Sequence, residues 1–384
     1  MDVEMSVETA APSPILQFGT GRFLQAHVGL FVSEAAESGA ALGGITVVQS
    51  TDDPASTRRA QALAGGEGVP IVLRGLVAGV PVETRRISRS VREILHAASD
   101  WSAVRERVRG PVRVIVSNTG DDGWTLSLRD GPPLLAAGAA APQSFPARLL
   151  VLLHDRWLAA PEAELTVLPC ELVSRNGSVL GDLVVGQARA WQCPAPFIDW
   201  LLTHVVWANS LVDRIVAQAL EPVGAVAEPY ALWAIQAQPR LQLPCRHPAI
   251  VVTDDLARHE RLKLFLLNLD HTMLAELWRL FERPAGMTVR QAMEDGALRE
   301  PLERTWLDEV LPVLDALGQG DEAIAYLGSL RDRLLNPFLE HRLADIAQHH
   351  ARKKARRLLP VVELARRHTP GLAQPRLRAA LRTP

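Results

Sequence analysis

The chain has 384 residues, of which 48% are hydrophobic and 22% are charged, so it holds enough apolar material for a large packed core. Forty-one Lys and Arg residues stand against 43 Asp and Glu residues, and the formal net charge of −2 excludes charge-driven disorder and bulk attraction to nucleic acid. Three widely spaced cysteines argue against a disulfide framework and a cysteine-based zinc site. The sequence shows neither an apolar run of about 20 residues nor the apolar centre of a signal peptide. We therefore expect a cytoplasmic protein with no membrane or nucleic-acid partner.

After residues 1–12, which we expect to be a flexible tail, short apolar runs alternate with amphipathic segments. In chain order, the pattern predicts a strand at 15–18, a helix at 23–38, a strand at 45–48, a helix at 55–63, a hairpin at 71–76 and 82–87, two short helices at 91–98 and 101–108, and strands at 112–116 and 165–168. Strands separated by helices predict a parallel, doubly wound α/β sheet. From residue 259 to 382 the pattern is almost wholly helical. We place a domain boundary at about residue 250, which gives an α/β domain at 13–250 and an α-helical domain at 251–384.

The turn after the first predicted strand reads Gly19-Thr20-Gly21-Arg22-Phe23. Two glycines spaced by one residue let the backbone turn tightly and approach a pyrophosphate, and the following helix offers its N–H donors. The usual third glycine is replaced by a leucine, and an ordinary strand-to-helix turn is the alternative. Because the turn lies in the first strand–helix unit, we predict that these five residues bind a dinucleotide and that the domain is of the Rossmann type.

Further cofactor contacts are predicted where later strands end. Asp52 and Asp53 follow the second strand, where an acid hydrogen-bonds the adenosine ribose of NAD, although capping of the next helix is equally open. Two arginines shortly afterwards are placed to hold the 2′-phosphate of NADP instead. Asn118 and Thr119 follow the strand at 112–116, and ligands of doubly wound sheets bind at such strand ends. We expect NAD as the cofactor, with NADP as the alternative.

Four polar residues cluster on an otherwise apolar helical segment. At 100° per residue, Lys263, Glu260, His271 and Asn268 fall at about 0°, 60°, 80° and 140° around a regular helix. Polar groups on an apolar face need partners or a function. The segment is therefore a candidate catalytic helix, with structural pairing of these side chains as the alternative.

The segment Lys-x4-Asn-x2-His, together with Gly-x-Gly-x-Phe-x2-Ala-His at residues 19–27, resembles the polyol-specific long-chain dehydrogenase/reductase family. Further agreeing stretches are Ser117-Asn118-Thr119, Pro169-Cys170-Glu171-Leu172, Asn176-Gly177, residues 209–215 and residues 336–341. They most resemble the tagaturonate reductase (altronate oxidoreductase) branch of a family that also includes mannitol 2-dehydrogenase and fructuronate reductase. The chain departs from the family in being shorter, in residues 120–123 and in Asp270, which precedes the histidine.

The resemblance implies an oxidoreductase that interconverts a secondary alcohol and a ketone on an open-chain sugar acid without a metal ion. It implies the following roles: Lys263 as the general base, Asn268 and Asn176 as donors to the reacting oxygen, His271 as an orienting group, and Asp213 and Glu260 as carboxylates of a proton path. A lysine side chain ordinarily has a pKa near 10.4, so a lysine base requires a depressed pKa. Structural alternatives stay open: Asn176 as a turn or cap residue, and Asp213 and Glu260 as ion-pairing or surface carboxylates.

Arg333 and Arg342 are candidates for holding substrate oxygens. Residues 342–384 carry eleven Lys and Arg against two acids, which indicates either a solvated helix face or a rim that attracts an anionic substrate. A neutral polyol such as mannitol is the alternative substrate. A nucleotide-binding protein without turnover is the alternative from another functional class. The oligomeric state is not predicted.

Overall fold

The computed structural model describes residues 13–51, 53–120 and 123–383. The predicted tail at 1–12 lies outside them. The strands in these ranges are β1 (Ile15–Phe18), β2 (Ile45–Gln49), β3 (Val69–Val77), β4 (Val80–Ser88), β5 (Val91–His96), β6 (Val114–Ser117), β7 (Leu165–Pro169), β8 (Val205–Trp207), β9 (Ser210–Asp213), β10 (Val216–Ala219), β11 (Ala225–Ala227), β12 (Leu232–Gln236) and β13 (Ile250–Thr253).

The α-helices are α1 (Arg22–Leu24), α2 (Leu30–Glu37), α3 (Pro54–Ala64), α4 (Trp101–Arg109), α5 (Phe145–Ala159), α6 (Asn176–Ala190), α7 (Ala195–Thr203), α8 (Leu256–Leu262), α9 (Leu269–Leu280), α10 (Val289–Glu294), α11 (Gly296–Thr305), α12 (Leu311–Ala316), α13 (Gly320–Leu334), α14 (Leu343–Ile346), α15 (His350–Arg357), α16 (Leu359–His368) and α17 (Pro375–Arg382). Three π-helical segments, Gln25–Gly29, Lys263–Asn268 and Trp306–Val310, continue from one α-helix into the next, and a short 3₁₀ helix spans Pro132–Leu135. Within the described ranges, no helix is both long and apolar enough to cross a membrane.

The largest sheet has six strands in the order β5-β2-β1-β6-β7-β8, and every neighbouring pair is parallel. When these six strands are renumbered from 1 to 6 in chain order, the order across the sheet is 3-2-1-4-5-6. This is the doubly wound arrangement of dinucleotide-binding domains. The predicted fold class is therefore confirmed for this part of the chain. The direction of strand order reverses between β1 and β6, so the two strand ends there form the expected ligand position. Two further sheets have the orders β10-β11-β3-β4 and β13-β12-β9.

Burial on both faces explains why the central strands are short apolar runs. Along β1, Leu16 and Phe18 pack into one core cluster, whereas Ile15 packs into another. Along β6, Ile115 joins the first cluster and its two valine neighbours join the second. Since successive side chains of a strand point to opposite faces, each central strand contributes to two cores.

The helix predicted at 91–98 is wrong, because Val91–His96 forms β5. Val91, Ile94 and Leu95 have the spacing i, i+3, i+4, which favours a helix in a sequence pattern. In the structure β5 pairs in parallel with β2, with Val91 opposite Ile45 and Leu95 opposite Val48. The backbone donors and acceptors along β2 require a partner strand, and this non-local demand overrides the local spacing.

The chain divides into two compact units. The first holds the described residues before Leu73 together with Arg85–Val226 and Ala231–Asp254. The second holds Leu73–Thr84, Ala227–Tyr230 and the residues from Asp255 onward. Helices α8 to α17 of the second unit surround a leucine-rich core that includes the fully buried Trp306. The mainly α-helical character predicted for the C-terminal part is confirmed.

Candidate active site

The turn after β1 places its two glycines in different surroundings. Gly19 has φ of +114°, and a Cβ built there would lie 2.7 Å from the backbone oxygen of Asn118, so glycine alone fits. A Cβ built at Gly21 would meet no atom of the described residues within 4 Å. The first glycine therefore shapes the turn, and the second leaves open space beside the helical run that begins at Arg22.

The other predicted residues of this turn differ in exposure. Thr20 is buried, and its carbonyl accepts a hydrogen bond from Nε2 of Gln25 at 2.8 Å. Arg22 is exposed, and the Phe23 ring stacks on His27 with the ring centroids 4.8 Å apart. The predicted cofactor residues thus follow one another at the carboxyl end of β1, on a turn fixed by side-chain contacts.

The end of β6 is held by a carboxylate that follows β7. Glu171 is buried, and its Oε1 accepts hydrogen bonds from the backbone N–H and the hydroxyl of Thr119 at 2.9 and 3.0 Å. Its Oε2 accepts from the Ser117 hydroxyl at 3.0 Å. Nδ2 of Asn118 donates to the Cys170 carbonyl at 3.1 Å. Sequence reasoning quoted Glu171 only as part of a motif and missed this positioning role, although an acid two residues after a buried strand was a usable signal.

The structure describes the second of the two acids that follow β2 but not the first. Asp52 lies outside the described residues. Asp53 caps α3, because its Oδ1 accepts from the Ser56 N–H at 2.9 Å. The bonds from Ser56 lower the pKa of Asp53 to about 2, so the carboxylate is ionised at neutral pH. The capping alternative therefore describes Asp53 in this structure, and its contact with a cofactor ribose stays a prediction.

Asn176 begins α6 and is 1% exposed. Its Nδ2 lies 3.0, 3.1 and 2.9 Å from the backbone oxygens of Pro169, Glu171 and Ser210, and its Oδ1 accepts from the Ser210 N–H at 2.9 Å. An amide has only two hydrogens to donate, so the backbone uses the whole donor capacity of Asn176. Donation to a substrate oxygen would have to replace one of these carbonyls. The catalytic role of Asn176 stays a prediction.

The two carboxylates of the predicted proton path lie in different units. Asp213 is the last residue of β9 and is buried in the first unit. Glu260 lies in α8 of the second unit and is half-buried. Burial raises the pKa of Glu260, while the charge of Arg261 opposes the change. A raised pKa suits a carboxyl group that takes up and releases protons near neutrality, but the path itself stays a prediction.

Lys263 begins the π-helical segment Lys263–Asn268, which joins α8 to α9. Here the N–H of Leu269 bonds to the carbonyl of Leu264, five residues back instead of four. A regular helix would separate residues 263 and 268 by about 140°, whereas the wider π turn brings residues five apart onto one side. The structure therefore places Lys263 and Asn268 on the same side of the helix, one turn apart. The regular helical wheel did not predict this, and π turns are frequent at functional sites.

The backbone carbonyl and the side-chain amide of Asn268 differ in their hydrogen bonds. Its carbonyl accepts from the Thr272 hydroxyl at 2.9 Å and from Nη1 of Arg357 at 3.3 Å. Among the described residues, none hydrogen-bonds its side-chain amide, which is only half-buried. The donor capacity of this amide therefore remains available to a ligand, unlike that of Asn176.

His271 is buried in α9, and its Nδ1 donates to the Leu267 carbonyl at 2.7 Å. A carbonyl only accepts, so Nδ1 carries a hydrogen and Nε2 is the nitrogen left for a ligand. Oδ1 of the fully buried Asp270 lies 2.9 Å from the same Nδ1. Burial raises the pKa of Asp270, against the opposing effect of His271.

A second imidazole, which sequence reasoning did not assign to the site, packs against the first. The rings of His341 and His271 have centroids 4.8 Å apart. Burial lowers the pKa of His341 to about 4, and the positive charges of His271 and Lys353 act in the same direction. His341 ends the Asn-Pro-Phe-Leu-Glu-His stretch, so that motif was the available signal.

The two candidate substrate arginines are placed very differently. Arg333 is buried, and its Nε and Nη2 each lie 2.9 Å from a carboxylate oxygen of Glu228. Its guanidinium also lies 4.3 Å from the ring centroid of Tyr230. Arg342 is exposed at the start of α14, and its backbone forms a bridge with Thr288. Their contacts with a substrate stay predictions.

The cysteines Cys170, Cys193 and Cys245 are buried and unpaired, and burial raises the pKa of each thiol. Within the part of the chain that the structure describes, no group of three or more His, Cys, Asp or Glu side chains is arranged to hold a metal ion.

Relatives of known name cover most of the chain. An altronate oxidoreductase of Halalkalibacterium halodurans is 31% identical over an alignment of 371 positions, gaps included, which covers 91% of this chain and 70% of the relative. An altronate oxidoreductase of Klebsiella pneumoniae subsp. pneumoniae is 32% identical over an alignment of 396 positions, gaps included, which covers 96% of this chain and 78% of the relative.

Two solved structures share the fold. A D-sorbitol dehydrogenase in substrate-free form superposes with a TM-score of 0.74 at 20% identity, covering 92% of this chain and 76% of that one. The Pseudomonas fluorescens mannitol 2-dehydrogenase in ternary complex with NAD and D-mannitol gives 0.73 at 19% identity, covering 97% and 79%. The family model of the mannitol dehydrogenase Rossmann domain matches residues 13–244, and that of the mannitol dehydrogenase C-terminal domain matches residues 255–378. With both domain models matched over nearly its whole length, the chain belongs to the mannitol dehydrogenase family.

Proposed function

We propose that this protein is an NAD-dependent dehydrogenase that interconverts a secondary alcohol and a ketone on an open-chain hexonate of the altronate/tagaturonate type. The observation that carries the proposal is the π segment, on which Lys263 and Asn268 lie one turn apart, shortly before His271. No described residue hydrogen-bonds the side-chain amide of Asn268. The relatives named altronate oxidoreductase support the oxidoreductase class and favour a sugar acid over a neutral polyol.

The glycine turn fits a dinucleotide. Gly19 is required by its backbone geometry, and the open side of Gly21 leaves room for a pyrophosphate beside the N–H groups at the start of the helical run. Bound NAD would accept a hydride from the alcohol carbon in oxidation, and its reduced form would return it to the ketone. The mannitol 2-dehydrogenase that shares this fold was solved with NAD.

The side chains of the second unit supply the proton chemistry. Lys263 takes the proton from the alcohol oxygen during oxidation and returns it during reduction. The amide of Asn268 donates a hydrogen bond to the same oxygen, which gains negative charge as the proton leaves. His271 orients the substrate through Nε2. Glu260, with its raised pKa, exchanges the proton of Lys263 with solvent.

Other residues keep the roles predicted from the sequence. Asn176 and Asp213 are proposed as a further donor and a further proton carrier, and Arg333 or Arg342 as a contact to substrate oxygens. Neither a metal ion nor a nucleic-acid or membrane partner is part of the proposal. We place the reaction in the cytoplasm, where the three unpaired thiols would stay reduced.

The deciding experiment is a substrate panel. Altronate, two other aldonates, mannitol and sorbitol are each offered with NAD⁺ and with NADP⁺, and the ultraviolet absorbance of the reduced nicotinamide is followed. We expect the highest kcat/KM with altronate and NAD⁺, and an unchanged rate after exhaustive treatment with EDTA.

Preference for mannitol would favour the neutral-polyol alternative. Dinucleotide binding without turnover of any substrate would favour a nucleotide-binding protein. Loss of activity with EDTA that zinc restores would contradict the lysine mechanism.

A further inference from the structure

Two imidazoles of the second unit are too close for both to be charged easily. The ring centroids of His271 and His341 are 4.8 Å apart, and two like charges at that distance oppose each other. The surroundings of the two rings differ. His271 has the carboxylate of Asp270 beside its Nδ1, whereas the charged neighbour of His341 on α15 is the cation Lys353.

Asp270 has an unusual position for a carboxylate. It is 0% exposed, and neither of its oxygens accepts a hydrogen bond within the described ranges. The hydrogen on Nδ1 of His271 points to the Leu267 carbonyl, so the 2.9 Å contact between Asp270 and that nitrogen is electrostatic. The cations of Arg333 and Arg357 also act on Asp270 through space. A buried carboxylate is costly unless its charge is used, so its position next to His271 requires an explanation.

We propose that Asp270 is a positioning residue that places the extra proton of the imidazole pair on His271 rather than on His341, so that His271 meets the substrate as a charged Nε2–H donor. The proposal rests on the proposed function, in which His271 faces the substrate. A charged donor attracts a carboxylate as an opposite charge, whereas a neutral hydroxyl group of a polyol carries no net charge for it to attract. The pair therefore favours an acidic substrate over a neutral polyol.

The charges around the pair support this arrangement. The cation Lys353 on α15 acts on His341, and the cations Arg333 on α13 and Arg357 on α15 act on Asp270 on α9. Burial lowers the pKa of His341 to about 4, so this ring stays neutral in mild acid. In the proposed arrangement Asp270 is the anion that compensates the charge on His271, since His271 and Arg333 act against the burial that raises the pKa of Asp270.

The first test reads the protons directly by ¹⁵N NMR of the imidazole nitrogens in the whole protein at mildly acidic pH, with His341→Gln used for assignment. In the wild type we expect hydrogens on both nitrogens of His271 and on one nitrogen of His341. Asp270→Asn keeps the side-chain size and removes the charge, so His271 should lose its second hydrogen. A neutral His271 in the wild type would overturn the proposal, even if no Asp270 variant folds.

Glu276→Gln is the matched control, because Glu276 lies on the same helix, is also buried and also contacts a histidine, with 2.6 Å between its Oε2 and Nε2 of His350. This variant should lower thermal stability without changing the spectrum of His271. If Asp270→Asn leaves the His271 spectrum unchanged, the proposal is wrong.

The second test compares substrates. Asp270→Asn should raise KM for an aldonate by about tenfold and KM for mannitol much less, since only the acid carries a negative charge that a charged His271 attracts. Asp270→Glu should recover part of the difference. An equal rise for both substrates would overturn the assignment of the charged donor to the substrate. If the wild type turns over neither substrate, the proposed function fails, while the NMR result still decides the charge of His271.

Discussion

The strand ends of the first unit and the helix that carries Lys263 in the second unit hold their polar groups in opposite ways. At the strand ends, Thr119 and Asn176 are bonded to buried carboxylate or backbone oxygens. On the helix, the amide of Asn268 has no partner among the described residues. Nδ1 of His271 is bonded to the helix backbone, which leaves Nε2 as the nitrogen for a ligand. The polar groups of the first region are therefore used in bonds within the protein, whereas the second region keeps hydrogen-bonding groups available to a ligand.

The two asparagines make the difference concrete. Sequence reasoning gave both the same role, because an amide that donates to an oxyanion and an amide that braces a loop have the same side chain. Asn176 is buried with all its donors used, whereas Asn268 is half-buried with its donors available. Hydrogen-bond partners, which are non-local, separate a bracing residue from a reacting one.

The largest effect is expected from Lys263→Ala. Removal of the base should lower turnover by about 10²–10⁴-fold with near-normal dinucleotide affinity, measured by steady-state kinetics and by a binding titration. Oxidation by the wild type should rise with pH, because only the neutral amine accepts a proton, and reduction should fall over the same range. Arg258→Ala removes a cation of α8 that pairs with Glu322 on the surface, and it should leave turnover unchanged.

Near-normal turnover in Lys263→Ala would refute the mechanism. Loss of both turnover and dinucleotide binding would assign Lys263 to the support of the fold.

The next largest effects are expected from replacing Asn268 and Asn176 by alanine. Asn268→Ala should lower kcat by about 10²-fold with little change in the free energy of unfolding, since it leaves no buried group unpaired. Asn176→Ala should instead lower the free energy of unfolding by roughly 3 kcal/mol, because backbone groups of three residues lose a buried partner. Denaturant unfolding and kinetics on both variants check this. A stable but inactive Asn176→Ala would show that the amide of Asn176 takes part in the reaction, which would contradict the proposed difference between the two asparagines.

The glycine pair sharpens the comparison within the first unit. Gly19→Ala should lower the free energy of unfolding by about 1–3 kcal/mol, because φ of +114° and the 2.7 Å approach to Asn118 strain any side chain. Gly21→Ala should keep the stability and weaken dinucleotide binding by about tenfold, since its methyl group would occupy the space proposed for the pyrophosphate. Equal dinucleotide affinity in Gly21→Ala and the wild type would move the pyrophosphate elsewhere.

The smallest effect is the response to mild acid. The pKa of His341 falls from 6.5 to about 4 on folding, so the unfolded chain binds the proton first and the free energy of unfolding falls as the pH drops from 6.5 towards 4. His341→Gln should flatten this slope by on the order of 1 kcal/mol per pH unit near pH 5, measured by denaturant unfolding. Asp53, with a pKa of about 2, contributes stability above the unfolded pKa of 3.8 and loses it only as the pH falls towards 2. An unchanged slope in His341→Gln would show that other groups carry the pH dependence.

The sequence was most informative where local pattern and tertiary structure agree. The runs that form β1, β2, β6 and β7 are short, apolar and buried on both faces, so composition alone identified them. It failed at β5, where the requirement to pair with β2 overrode a helical spacing. The three-stranded sheet of β9, β12 and β13 was also missed, because none of its short strands was predicted from the sequence.

At the candidate site, residue types were easier to predict than their surroundings. Lys263, Asn268 and His271 were selected by type and spacing, but the π turn changes the angle between the first two. The bonds of Glu171 to Ser117 and Thr119 join segments 52–54 residues apart, so no local pattern contains them. The burial of Asp270 could not be predicted either, since the sequence around an acid next to a histidine does not determine how much of its side chain is exposed.

The π turn also bears on how this chemistry would be moved to another protein. Four residues separate Lys263 from Asn268, and the i→i+5 geometry makes that spacing correct. On an ordinary α-helix, residues four apart are the ones that share a face, so a designer would leave three residues between the lysine and the asparagine. A graft that copies the six-residue string onto a regular helix would turn the amide away from the lysine while keeping every side chain in the sequence.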